Sequence, residues 1–209
     1  MARTRAGDWG DKRALIYDRA AELFAAQGFS RTSIAELAAH CQASKSWIYH
    51  YFPSKEAILY AILHDHMSLL LRTAESELEG HREPEAQLRA LLRAFMAIYV
   101  RAKAKHAVLL AELGSLPAAQ QHEIRGLERR VVDLVAGVIA RLDARPGGER
   151  RPLMPITMML FGMINWTHTW YRPDGPIGPE QLADLAADLF LGGVGGATGP
   201  EAAKARASA

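Results

Sequence analysis

Apolar residues recur three and four positions apart along most of this chain, which is the spacing of an amphipathic helix. The first such segment runs from Asp11 to Gln27, and Gly28 directly after it is a typical helix stop. Later segments with the same spacing are 55–79, 84–99, 108–113, 124–142, 153–171 and 179–191. With two shorter helices between 33 and 52, and nothing that alternates like a strand, the pattern predicts an all-α protein of about nine helices.

The two short helices carry clear start signals. Ser33 and Glu36 have the spacing of a capping box, and Ser44 is placed to cap the next helix. In that second helix Ile48 and Phe52 are the large apolar residues that face the first helix. This arrangement predicts a helix-turn-helix, in which the second helix enters the major groove of DNA.

The amino-acid sequence of this region resembles that of a known family. Gly28-Phe29, Thr32-Ser33-Ile34 and the run 48–56 (Ile-Tyr-His-Tyr-Phe-Pro-Ser-Lys-Glu) closely resemble the DNA-binding domain of TetR-family transcriptional regulators, over about the first third of the chain. The resemblance implies a three-helix DNA-binding domain at 1–55 and a ligand-binding and dimerisation bundle at 56–192. It also implies a double-stranded DNA operator as partner. The candidate DNA contacts are Thr32, Ser33, Ser44, Lys45, Ser46, Trp47, Tyr49, His50 and Lys55, the last resembling a phosphate-contacting position.

One position departs from the family pattern. Gln42 occupies the turn position that is usually Gly in the family, where the chain takes a positive φ. A residue with a Cβ adopts that conformation at a cost of roughly 1 kcal/mol. We expect the turn to form at Gln42 with some strain.

Composition restricts the DNA contact to a local surface. The 209 residues carry 25 Lys and Arg against 23 Asp and Glu, a formal charge of only +2. The absence of a signal-like N-terminus, and an apolar stretch at 153–166 that is shorter than the about 18 residues of a membrane span, predict a cytoplasmic protein without membrane contact. The Gly- and Ala-rich tail at 193–209 is expected to be disordered.

No catalytic or metal-binding pattern emerges. Cys41 is the single cysteine, which excludes an intramolecular disulfide and leaves either a small buried hydrophobe or a redox-active thiol. His64 and His66 lie on different faces of one helix and so cannot chelate a metal together. Glu-x-x-His pairs, a Gly-x-Ser-x-Gly elbow and a Walker loop are missing. The sequence therefore predicts no enzyme, no metal and no cofactor.

The second domain carries an aromatic and Met-rich stripe with two possible roles. Met159, Met163, Trp166 and Trp170 share one helical stripe, which either packs in a core or dimer interface or walls a ligand pocket with residues 95–99. A basic stretch follows at Arg101, Lys103, Lys105 and His106, and it is either a solvated helix end or the rim of a phosphate-binding pocket.

A second, shorter resemblance concerns residues 165–176. This run looks like the C-terminal signature of a TetR subgroup that senses acyl-CoA thioesters, including the phenylacetyl-CoA-responsive PaaR regulators. It implies an apolar or aromatic acyl effector, and we expect binding of that effector to release the operator. Two long apolar helices near 153–171 and 179–191 are the expected dimer interface, as the resemblance to the TetR family, which dimerises through its last two helices, also implies. The candidate effector contacts are Phe95, Met96, Tyr99, Met159, Met163, Asn165, Trp166, Thr169, Trp170 and Arg172.

A rival hypothesis is a TetR-type regulator of drug efflux that binds flat cationic compounds. Pockets for cations usually contain a buried acid, and the face around 159–170 has none. Glu112 is the nearest acidic candidate.

Overall fold

The computed structural model describes residues 2–142 and 152–196, and within these ranges every regular element is helical. A short 3-10 turn, Leu113–Ser115, follows the sixth helix, and the four-residue α9 continues α8 after one residue. The predicted all-α fold is therefore confirmed. The ten helices of the described residues are α1 (Ala2–Gln27), α2 (Ile34–His40), α3 (Lys45–Tyr51), α4 (Lys55–Gly80), α5 (Pro84–Arg101), α6 (Lys103–Glu112), α7 (Ala118–Leu142), α8 (Leu153–Asn165), α9 (Thr167–Trp170) and α10 (Pro179–Gly196).

Several helix bounds differ from the expectation. α6 begins at Lys103 rather than 108, α7 begins at Ala118 rather than 124, and the segment 153–171 is divided into α8 and α9. α1 begins at Ala2 rather than Asp11, so it extends nine residues before the first predicted helical position. α10 continues to Gly196, so the first four residues of the predicted disordered tail 193–209 are helical. An existing helix adds one hydrogen bond per residue, which offsets the cost of its glycines. The rest of that tail, 197–209, and most of the predicted loop 145–152 lie outside the described residues.

The described chain forms two compact units. One comprises the residues up to Leu69 together with Ala102–Glu128, and the other comprises Leu70–Arg101 and the residues from Arg129 onward. α4 and α7 each continue from one unit into the other. The predicted functional boundary between residues 55 and 56 is a different division of the chain, and it stays a prediction.

In the first unit, α1 packs against both α2 and α6. Its core includes Phe24, Phe29, Leu37 and Ile48, and the rings of Phe24 and Phe29 meet edge to face at 5.2 Å. This core fixes the inner faces of α2 and α3, so their polar faces are left exposed.

In the second unit, α5 packs along α10, and α8 also contacts α10. Leu88, Leu91 and Leu92 of α5 are almost completely buried. At the solvent edge the two carboxylate oxygens of Asp184 accept from Arg93 at 2.7 and 2.9 Å, and this pairing lowers the pKa of Asp184. In the described ranges, no helix is both long and apolar enough to cross a bilayer.

Candidate nucleic-acid interface and ligand region

The predicted capping box at the start of α2 is present. The Ser33 hydroxyl accepts from the Glu36 N–H at 3.2 Å, and the Glu36 carboxylate accepts from the Ser33 N–H at 2.7 Å. The second bond holds the pKa of Glu36 below its ordinary value. Because both groups satisfy free amides of the first turn, the start of α2 is fixed at Ser33.

The turn between α2 and α3 has the predicted strained residue. Gln42 has a φ of 53°, in the left-handed region. Its N–H donates to Ala39 O at 3.0 Å, and the Ala43 N–H donates to Ala38 O at 2.9 Å. These two bonds form a Schellman motif with Gln42 at the position where Gly is usual.

α3 presents a polar face without acidic residues. Ser44 caps the helix, since its hydroxyl accepts from the Trp47 N–H at 3.1 Å and lies 2.9 Å from the Ser46 hydroxyl. Ile48 is fully buried, whereas the opposite face is open. The Trp47 ring is half-buried and lies 5.0 Å from the Tyr51 ring. The exposed predicted contacts of this face are Lys45, Ser46, Tyr49 and His50.

A shallow cleft of about 430 Å³ adjoins this face. It is lined by residues 30–34 and 53–56 together with Tyr49, so the N-terminal ends of α2 and α4 both open into it. The N-terminal end of the 26-residue helix α4 presents N–H groups that favour an anion such as phosphate, whereas the capping box of α2 already bonds the Ser33 and Glu36 N–H groups. Exposed Arg31 adds a fixed positive charge, and Ser54 caps α4 by accepting from the Ala57 N–H at 3.1 Å.

The sequence did not single out Arg31 or Ser54. Arg31 lies in a turn, so neither helical periodicity nor motif spacing indicates a functional role for it. Ser54 belongs to the run Pro53-Ser54-Lys55-Glu56, which predicts the start of α4, but that signal does not indicate that Ser54 lines a cleft.

Two predicted DNA contacts have internal roles. Lys55 Nζ donates to Phe29 O and to Thr32 O, both at 2.8 Å, and lies 4.2 Å from the centre of the Phe29 ring. Thr32 is buried, and its hydroxyl donates to Gly28 O at 2.9 Å and accepts from Gln27 Nε2 at 3.2 Å. The Thr32 hydroxyl is therefore engaged internally, although residue 32 lines the cleft, and its predicted DNA contact stays a prediction. Both residues build the turn between α1 and α2.

The predicted effector residues on α5 lie in the core of the second unit. Phe95, Met96 and Tyr99 are buried, and the rings of Phe95 and Tyr99 stack with an interplanar angle of 11°. Burial raises the pKa of Tyr99 well above its ordinary value. The Thr167 hydroxyl of α9 lies 3.8 Å from Met96 Sδ and donates to Ile164 O at 2.6 Å.

The predicted effector residues on α8 and α9 are mostly exposed. Met159 is 69% exposed, Trp166 64% and Trp170 52%, and Met163, Thr169 and Arg172 are exposed as well. The inner face of α8 consists instead of Thr157, Leu160, Phe161 and Ile164. The described chain therefore does not bring the α8 stripe and the α5 residues together as walls of one pocket.

Asn165 lies between these two faces of α8. Its Oδ1 is buried and has no hydrogen-bond partner in the described part of the chain. A buried polar atom without a partner is unfavourable by about 1–3 kcal/mol. Among the predicted effector contacts, Asn165 therefore has a hydrogen-bonding capacity that a ligand could satisfy.

Lys105, the two histidines and Cys41 have their surroundings within the first unit. Lys105 forms an ion pair with Asp18 at 2.7 Å, as expected for a solvated helix end. His66 is buried against His106, whereas His64 faces Glu123 at 3.7 Å, so the two histidines point in different directions. Among the described residues, no three His, Cys, Asp or Glu side chains cluster as metal ligands. Burial raises the pKa of the Cys41 thiol, which disfavours the reactive thiolate.

Two stretches of the chain match families of known proteins. Residues 16–62 match the family described as bacterial regulatory proteins, tetR family. Residues 81–194, more than half of the 209 residues, match the family described as tetracyclin repressor-like, C-terminal domain. Both the helix-turn-helix and most of the remaining helices are therefore covered.

Individual relatives resemble the chain over most of its length. A TetR-family transcriptional regulator from Bordetella parapertussis is 37% identical and superposes with a TM-score of 0.83, covering 90% of this chain and 97% of that one. AibR, solved with isovaleryl coenzyme A and operator DNA, is 26% identical with a TM-score of 0.75, covering 86% of this chain and 98% of that one. The HTH-type transcriptional repressor KstR2 of Mycolicibacterium smegmatis is 26% identical over 192 residues, which is 88% of this chain and 90% of that protein.

Proposed function

Because the chain belongs to the TetR family of bacterial regulatory proteins, we propose that it is a ligand-responsive repressor that binds a near-palindromic operator as a homodimer. It is a regulator rather than an enzyme. The observation that carries the proposal is the exposed, acid-free face of α3 beside a cleft formed by the N-terminal ends of α2 and α4. Its place of action is the cytoplasm, where the operator lies.

DNA contacts divide into two groups on this surface. Ser46 and Trp47 lie in the first turn of α3, which is the part of a recognition helix that reaches base edges. Arg31, Tyr49 and the N-terminal end of α4 surround the cleft and hold a phosphate. The first group determines sequence preference and the second supplies affinity for any DNA.

The proposed effector is an acyl-CoA thioester. AibR, whose fold matches this chain, was solved with isovaleryl coenzyme A, and the run 165–176 resembles the acyl-CoA-responsive subgroup. The buried apolar residues Phe95, Met96 and Tyr99 offer surroundings suited to an acyl or aromatic group once the helices part. The Asn165 amide oxygen supplies a polar contact, and exposed Arg172 supplies a charge for CoA phosphates.

The proposed dimer interface is the exposed apolar face of α8 and α10. Large apolar side chains lie open on both helices, which is unusual for a surface that stays in water. A second copy of the chain is the proposed occupant, and this places two α3 helices roughly 34–36 Å apart on successive turns of DNA. The exposed residues of this face are Leu153, Met154, Met158, Met159 and Met163 of α8 and Leu185 and Leu189 of α10, with Trp166 and Trp170 at the two ends of the adjoining α9.

The proposed mechanism is a population shift. α4 has 26 residues, about 39 Å of continuous helix, and runs from the cleft into the second unit. Effector binding that tilts α4 separates the two α3 helices of the dimer and thereby weakens operator binding. A coupling of about 1–3 kcal/mol, the usual allosteric range, lowers affinity several-fold to more than a hundredfold.

A gel shift on the DNA upstream of the protein's own gene tests the proposal. The titrants are phenylacetyl-CoA, isovaleryl-CoA, straight-chain acyl-CoAs and the matching free acids. Release by a thioester but not by its free acid supports the repressor role and the effector class. Release by a cationic dye alone would favour the efflux alternative, and no shift at low salt would contradict DNA binding itself.

A pair of arginine variants tests the proposed phosphate cleft. Arg31→Ala is expected to weaken binding to all sequences and to reduce the salt slope of log K by about one, because one phosphate contact is lost. Exposed Arg72→Ala makes the same charge change on α4 away from the cleft and serves as the control. Equal salt slopes for both variants would contradict the cleft assignment.

A further inference from the structure

Phe29, in the turn between α1 and α2, is held from three directions. Its carbonyl accepts from Lys55 Nζ at 2.8 Å, and its ring packs against Phe24. Its N–H donates to Glu112 Oε1 at 3.0 Å, across 83 positions of the sequence. The N–H and the carbonyl of one residue are thus each bonded to a charged side chain, one negative and one positive.

Glu112 is the last residue of α6 and is itself held in place. Its second carboxylate oxygen, Oε2, accepts from the Ser115 hydroxyl at 2.9 Å, which fixes the side chain over the turn. Gly28 lies next to the Glu112 carboxylate, since a Cβ at position 28 would be 3.4 Å from Glu112 Oε1. Gly28 also has a φ of 89°, so the backbone here has a conformation that other residues rarely adopt.

The turn that Glu112 holds leads directly into the proposed DNA-binding surface. Residues 30–34 line the cleft, and Ser33 caps α2 only four residues after Phe29. A shift of the C-terminal end of α6 would therefore move the Phe29 amide and, with it, the cleft and the first turn of α2. α6 in turn follows α5, which bears Phe95, Met96 and Tyr99, after the single residue Ala102.

We propose that Glu112 is a positioning residue that fixes the turn between α1 and α2 to the end of α6, and that operator binding and its release by effector depend on this bond. The inference rests on the proposed function. It also gives Glu112 a role other than binding a cationic drug, since both of its oxygens accept hydrogen bonds within the first unit.

Three variants separate this role from a general loss of charge or stability. Glu112→Ala removes both hydrogen bonds, whereas Glu112→Gln keeps an amide oxygen that accepts from the Phe29 N–H. Glu22→Ala is the matched control, because Glu22 is an exposed acid of α1 that pairs only with Arg19 three residues away among the described contacts. Unfolding temperatures are measured for all variants, and the assays are run well below them.

The first measurement is amide hydrogen exchange by NMR. Glu112→Ala is expected to speed exchange at Phe29 about tenfold, because the Phe29 N–H loses its acceptor, and also to speed exchange at 33–37. Glu112→Gln and Glu22→Ala are expected to match the wild type. Faster exchange confined to Phe29, or equal exchange in all variants, would overturn the inference whether or not the protein binds DNA.

The second measurement is operator affinity with and without isovaleryl-CoA or phenylacetyl-CoA. Glu112→Ala is expected to bind operator about tenfold more weakly, with rescue by Gln, and to show a smaller fold-release by the thioester that acts on the wild type. Wild-type affinity and release in Glu112→Ala would overturn the inference and leave the repressor function standing. Failure of the wild type to bind any operator would instead contradict the proposed function, and the exchange data would still decide the role of Glu112.

Discussion

Gln42 shows how a single backbone requirement overrides side-chain preference. The Schellman motif at the end of α2 needs a left-handed residue, and Gln42 adopts a φ of 53° there. The cost is roughly 1 kcal/mol, and the two bonds of the motif together with buried Leu37 and Ile48 offset it. The resemblance to the TetR family, in which this turn position is usually Gly, was sufficient to predict this feature.

Gln42→Gly is therefore expected to stabilise the protein by up to about 1 kcal/mol, or to raise the melting temperature by about 2–4 °C. Ala39→Gly is the comparison, since it introduces the same residue at an exposed position inside α2 and is expected to destabilise by about 1 kcal/mol. Urea unfolding at one fixed protein concentration measures both. A lower stability for Gln42→Gly than for wild type would show that the left-handed residue is not strained.

At the scale of elements, α4 and α6 are joined by a buried pair of histidines. His66 Nε2 lies 3.3 Å from His106 Nδ1, and both side chains are almost fully buried. Burial, with a smaller contribution from the Lys105 charge, lowers the pKa of His66 to about 4. The sequence placed His66 on a helix but gave no signal of this partner, because 40 residues separate the two.

Because His66 is buried in this pair, we expect the protein to lose stability in mild acid. The folded pKa of His66 lies below the ordinary value of 6.5, so the unfolded chain binds more protons between about pH 6.5 and 4. The contribution of neutral His66 to the free energy of unfolding is fully present above pH 6.5 and is lost as the pH falls towards 4. Between pH 7 and pH 5 the loss is about 2 kcal/mol. Urea unfolding of wild type and His66→Gln measures it.

His66→Gln is expected to show a flatter dependence of unfolding free energy on pH than wild type. Exposed His122→Gln provides the matched control and should keep the wild-type dependence. Equal pH dependence in His66→Gln and wild type would mean that His66 is not the group responsible.

For the molecule as a whole, the exposed apolar face of α8 and α10 accounts for the Met and Trp stripe better than a pocket within one chain does. α8 is apolar on nearly all sides, so periodicity does not show which side faces its own core. The structure turns Thr157, Leu160, Phe161 and Ile164 inward and leaves Met159 and Trp166 outward. This orientation supports the proposed dimer.

Leu189→Lys tests the dimer. Leu189 of α10 is 62% exposed, and burying a lysine ammonium there would leave an unpaired charge in the interface. We expect the dissociation constant of the dimer to increase by a hundredfold or more, in keeping with a cost of about 3 kcal/mol. Operator affinity is expected to fall as the dimer dissociates. Analytical ultracentrifugation measures the dimer, with exposed Leu110→Lys of α6 as the control. A fully dimeric Leu189→Lys protein would contradict this interface.

The sequence alone determined what depends on neighbours within a few positions. The all-α class and the caps at Ser33 and Ser44 follow from apolar spacing or hydrogen bonds inside a single turn or helix, and the left-handed Gln42 was implied by the resemblance of this turn to the TetR family. Only the tertiary structure decided which side of α8 is exposed, that Lys55 and Glu112 hold Phe29, and that His66 meets His106. Those outcomes depend on residues that are distant in sequence and meet only when the helices pack, and helical periodicity carries no information about that pairing.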